Sequence, residues 1–164
     1  NDNFEGGMSH EERLRAVAQG YFDERERVTP NRISSLAPNE IFVFGSNLTG
    51  KHTGGAARLA WTNFGAVMGQ GVGLQGQSYA IPTVGVTNAP TGNWRGRQEG
   101  IAAIKPYVDE FIRFAQAHPE LTFFVTRIGC GNAGFNDREM ALLFMKALSM
   151  NNVYLPQSFL AELA

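Results

Sequence analysis

Ile41-Phe42-Val43-Phe44 is a short, wholly apolar run that stops abruptly in Gly45-Ser46-Asn47. Such a run suits a strand buried on both faces, as in a parallel sheet. Working outward, the same pattern recurs three times. Tyr79-Ala80-Ile81 is stopped by Pro82, Thr122 to Ile128 by Gly129-Cys130-Gly131, and Val153-Tyr154-Leu155 by Pro156. Helical segments fall between these runs. Ala56 to Phe64 is alanine-rich and follows Gly54-Gly55. Ile101, Ile104, Val108, Phe111, Ile112 and Ala115 make one apolar stripe. Pro106 sits in that stripe and is expected in a first turn or at a kink. Met140 to Leu148 is a third helix, with Asn136 as its cap and Glu139 as the capping-box partner. Strands alternating with helices imply right-handed crossovers. The expected fold is a three-layer α/β/α domain with a mostly parallel, mixed central sheet.

Residues 9–27 read as a surface helix capped by Ser9, with Leu14, Val17, Ala18 and Tyr21 at helical spacing. The expected division is therefore an N-terminal helix and connection over 1–39 and a main domain over 40–164. Residues 84–98 break the rhythm and read as a long loop or small hairpin. Within them, Trp94, Arg95 and Arg97 are either a phosphate-neutralising lid or a solvated loop. The chain opens at Asn1 rather than Met. It is expected either to carry leftover tag or linker residues over 1–8 or to be cut from something longer.

The 164 residues are 43% hydrophobic and 18% charged, an ordinary globular balance. Net charge is −1 and Lys/Arg are dispersed, so no basic stripe marks a nucleic-acid binder. No apolar run approaches the roughly 18 residues of a membrane span. Cys130 is the single cysteine, which excludes an internal disulfide and makes a reducing cytoplasm the expected compartment. The histidines at 10, 52 and 118 lack metal-ligand spacing, so no metal or cofactor is expected.

In an open parallel sheet, ligands bind where loops leave the carboxyl ends of the strands. Nine of the 19 glycines fall between Gly45 and Gly76, and Gly129, Gly131 and Gly134 follow the third strand. Such loops let a ligand approach backbone amides closely. Gly54-Gly55 opens a helix, whose N-terminus attracts a phosphate. The alternative is that these glycines only make tight turns. Asn47 can meet a ribose hydroxyl pair or simply order its loop in an Asx-turn. Phe135 can flank a sugar or belong to the core. His52, beside Lys51, is either a phosphate contact or a solvated loop residue. Cys130 reads as a small buried residue, since no base adjoins it in sequence.

Val43-Phe44-Gly45-Ser46-Asn47-Leu48, with Gly54-Gly55-Ala56-Ala57 behind it, resembles the first ligand loop of macro domains. Val125-Thr126-Arg127-Ile128-Gly129-Cys130-Gly131-Asn132-Ala133-Gly134-Phe135 resembles the second, phosphate-gripping loop. The segment Gly69 to Thr83 is similar in layout to the stretch between those loops. The likeness covers roughly residues 40–156 and is closest to a bacterial and phage group with FGSN and IGCG loops. It implies binding of ADP-ribose or a related NAD-derived nucleotide. By that likeness Asn47 faces the distal ribose beside Gly54 and Gly55, with Gly45 and Ser46 also in the ligand-binding loop. Gly129 to Gly134 cradle the diphosphate, and Phe135 flanks the sugar. Two departures stand out. Hydrolytic members carry an aspartate after the glycine pair, where this chain reads Ala56-Ala57-Arg58. The aspartate that grips adenine has no counterpart before Ile41. The expected function is thus nucleotide binding. The alternatives are a hydrolase that processes ADP-ribose, with Asn47 placing the water, and a scaffold with no ligand.

Overall fold

The structure is a computed structural model that describes residues 27–85, 97–131 and 133–164. The expected helix at 9–27 and most of the excursion at 84–98 lie outside the described residues. Elements run β1 (Glu40–Asn47), α1 (Gly55–Asn63), β2 (Gly73–Gln75), β3 (Ser78–Val84), α2 (Arg97–Ala117), β4 (Thr122–Val125), α3 (Asp137–Leu143), a 3-10 turn (Met145–Ser149), β5 (Val153–Tyr154) and α4 (Gln157–Leu163). The strands form one sheet in the order β2-β3-β1-β4-β5. β1 pairs parallel with β3 and β4, β4 pairs parallel with β5, and only β2 runs antiparallel.

The Ile41–Phe44 stretch of β1 is wholly apolar because both of its faces are covered. Ile41 and Val43 join one core cluster with Ile104, Val108 and Phe111 of α2 and Met140 of α3. Phe42 and Phe44 join the other, with Ala57 and Ala60 of α1 and Phe64 just beyond it. Helices thus lie on both sides of the sheet, giving the three-layer α/β arrangement the sequence leads one to expect. Residues 27–39, assigned by the sequence to a separate connection, pack on this body. Val28 bridges Leu155, Thr29 Oγ1 donates to the Val125 carbonyl (2.8 Å), and Ile33 and Leu36 pack on the α1-side cluster.

Three local expectations are revised and a fourth is narrowed. β3 runs through Pro82 to Val84 instead of ending before the proline. The Phe42 N–H bonds the Gln77 carbonyl, so up to Pro82 the odd-numbered β3 residues hydrogen-bond toward β1 and the even-numbered ones point toward β2; the register shifts beyond Ser46. Pro82 lies past Ala80, where β2 pairing ends, so its missing N–H breaks no ladder bond. β4 ends at Val125 instead of Ile128, because the Ile128 N–H turns back to the Thr126 carbonyl at 2.7 Å. Of the two places expected for Pro106, the structure gives the interior of α2 and not its first turn. The carbonyl it leaves unbonded belongs to exposed Ala102 and can be solvated. The third helix divides into α3 and the 3-10 turn. β2 and α4 have no counterpart in the sequence reading.

Candidate functional site

The connection after β1 leads to α1 on one face of the sheet. The connection after the adjacent β4 leads to α3 on the other. Neighbouring strands whose connections leave on opposite faces open a crevice at their carboxyl ends. A cleft of about 480 Å3 occupies that place.

Its first wall is the β1–α1 loop. Asn47 Oδ1 accepts from the Lys51 N–H (2.9 Å) and the Thr49 hydroxyl (2.7 Å), and its Nδ2 donates to the Lys51 carbonyl (3.0 Å). The carboxamide therefore ties down residues 47–51, which is the loop-ordering role. Gly54 precedes α1 in an extended conformation (φ −146°) with no side-chain cap, and no acid stands in the first turn. The first N–H groups of a helix have no acceptor within it. In α1 these belong to Gly55, Ala56 and Ala57, all of which line the cleft.

The second wall is the β4–α3 loop. Thr126 donates to the Val43 carbonyl through both N–H (3.1 Å) and hydroxyl (2.8 Å), fixing the strand exit. Gly129 then takes φ +80°, and the loop closes on itself through Phe135 N–H to Gly129 O (2.9 Å) and Gly134 N–H to Gly131 O (3.0 Å). Asn136 and Glu139 complete a reciprocal capping box on α3. The two helix starts thus differ: α3 is capped by its own side chains, whereas α1 has no side-chain cap and its first residues line the cleft.

Of the expected site residues, Gly45, Ser46, Asn47, Gly54, Gly55, Ile128, Gly129, Gly131 and Ala133 line the cleft. Asn132 lies outside the described residues. Cys130, Gly134 and Phe135 are not part of the lining. Phe135 is only 4% exposed and belongs to the core around α2 and α3, so the sugar-flanking expectation gives way to packing. The Cys130 thiol is half-buried beside Asp137 (3.7 Å). Burial, with the Asp137 charge, pushes it up to about 11, so it is a neutral thiol at pH 7. His52 is fully buried instead of solvated. Its ring meets Phe44 edge-on at 5.2 Å, and Nε2 bonds the Gln70 carbonyl (2.9 Å) and Gln75 Oε1 (3.2 Å).

The first glycine cluster is also divided. Only Gly45, Gly54 and Gly55 of its nine line the cleft. Others serve close packing: a Cβ on Gly71 would stand 2.2 Å from the Asn47 carbonyl oxygen.

The sequence reading missed Lys51, Thr53, Thr83, Val84, Thr126 and Arg127 as lining residues. Arg127 forms a side-on pair with Asp137, Nε to Oδ1 and Nη2 to Oδ2, both at 2.7 Å. That hydrogen-bonded pair holds the Asp137 carboxyl below the usual carboxylate range. No local signal marks Arg127, because its partner stands ten residues away across the loop. Among the described residues that line the cleft none is acidic. No group of three or more His, Cys, Asp or Glu placed to hold a metal occurs among the described residues. No helix among them is long and apolar enough to cross a membrane.

Comparison with family models, curated proteins and solved structures finds no match to this chain.

Proposed function

We propose that the cleft binds ADP-ribose or a related NAD-derived nucleotide, its phosphates resting on the α1 amides and the β4–α3 glycine loop. The observation that carries this reading is the state of Gly54 and Gly131. Neither has a positive φ, and a Cβ on either would meet nothing within 4 Å. At Gly131 folding therefore gives no reason for glycine, whereas a ligand lying close on the backbone does; at Gly54 glycine also suits the N-cap of α1. The uncapped start of α1, the absence of acids from the described lining, and Lys51 on the rim all favour an anion. The likeness of the FGSN and IGCG loops to macro domains agrees. The lining holds no carboxylate, imidazole or thiol among its described residues, so the geometry supports binding more than turnover.

Thermal melting with ADP-ribose, NAD, ADP, AMP and inorganic diphosphate tests the proposal. Ligand at 100 times its Kd stabilises by about 2.7 kcal/mol. Gly54→Ala and Gly131→Ala are expected to keep the ligand-free unfolding free energy to within about 1 kcal/mol and to lose most of the ligand-induced rise in melting point. No shift with any ligand at millimolar concentration would sink the reading. So would full ligand response in both glycine variants.

A further inference from the structure

We propose that Asp137 is a positioning residue that clamps Arg127 on the cleft wall, so that the free end of the Arg127 guanidinium takes a ligand phosphate. The inference rests on the nucleotide-binding reading and names a residue that the glycine loops alone do not point to.

A guanidinium carries five N–H donors in one plane. The pair with Asp137 uses Nε–H and one Nη2–H, along the side of the group. The end edge, formed by Nη1–H and the second Nη2–H, is not used by Asp137 and matches a phosphate in bidentate fashion. Arg127 lines the cleft and its side chain is 58% exposed, so a ligand can reach it. The clamp is itself held in place. Asp137 is the first residue of α3, directly behind the capped Asn136, and its Oδ1 also accepts from the Cys130 thiol. An arginine fixed in this way gives up little rotamer freedom when it meets its ligand. Asp137 stands outside the cleft lining, so a bound phosphate meets the guanidinium and not the carboxylate.

Calorimetry with inorganic diphosphate and with ADP-ribose decides the matter. Arg127→Ala is expected to weaken both by about tenfold or more. Asp137→Asn should weaken them by several-fold, with partial recovery in Asp137→Glu. The double variant Arg127→Ala/Asp137→Asn should bind no more weakly than Arg127→Ala alone, because Asp137 acts only through Arg127. A purely structural role for Asp137 would instead give additive losses. Ligand-free melting is followed on the same samples, and Arg127→Gln replaces Arg127→Ala if the latter melts early. Additive losses, tighter binding by Asp137→Asn, or unchanged binding by Arg127→Ala would each overturn the proposal while leaving the nucleotide site standing. Failure of the unaltered protein to bind either probe would overturn both.

Discussion

Gly129 and Gly131 stand two residues apart in one loop, and physical chemistry treats them differently. Gly129 takes φ +80°, and a Cβ there would lie 2.7 Å from the Sδ of Met140, a fully buried side chain. Gly129→Ala therefore carries both backbone strain and a clash, and is expected to cost about 1–3 kcal/mol of unfolding free energy in a denaturant titration. Gly131 meets neither constraint, so an equal loss on Gly131→Ala would show that the loop does not hold the conformation described. A glycine letter in the sequence does not reveal which kind it is. The difference lies in what stands opposite each Cα.

The helix starts carry the same lesson at the scale of elements. α3 spans only seven residues, Asp137–Leu143, and leans on its capping box. Asn136 accepts from the Glu139 N–H at 2.8 Å, and Glu139 Oε1 accepts from the Asn136 N–H at 3.0 Å. Asn136→Ala is expected to lower stability by about 1 kcal/mol, read as a fall in Tm. Because α3 follows the second loop directly, that variant should also loosen ligand binding. Asn136→Ser, which restores a cap, should recover most of both. At the sheet edge, β2 is three residues long, and Gln70 Nε2 covers its Leu74 carbonyl at 3.1 Å. A short edge strand with a side chain on its outward carbonyl gives another chain little to pair with.

For the molecule as a whole, the Arg127–Asp137 pair ties the exit of β4 to α3, on the face where most of the core lies. Asp137 has its pKa depressed in the folded state by Arg127. Its contribution is therefore complete above the unfolded carboxylate pKa of about 3.9 and is lost as pH falls through the lower, folded value. Since Arg127 is well exposed, the contribution amounts to at most about 1 kcal/mol. Melting followed from pH 7 to pH 2 should show the unaltered protein above Asp137→Asn at neutral pH, with the gap closing below about pH 4. A gap that stays constant to pH 2 would mean the carboxylate charge is not what stabilises.

The sequence by itself determined the sheet's character, because apolar runs such as Ile41–Phe44 leave no polar face to turn outward. It also determined the capping box, whose two partners are three residues apart, and the approximate spans of α1 and α2, whose apolar spacing is local. It indicated that two glycine loops follow two strands. Only the tertiary structure decided that those strands are neighbours with connections leaving on opposite faces, so that the loops share one cleft. It also decided the fates of Phe135, His52 and Cys130. Each sits in a loop whose letters suit either a ligand or a core, and the packing of α2, α3 and the Gln70–Gln75 segment settles where each one lies. Arg127 escaped notice for the same reason. Its significance comes from Asp137, ten residues away, and that partnership exists only once the chain has folded the loop between them.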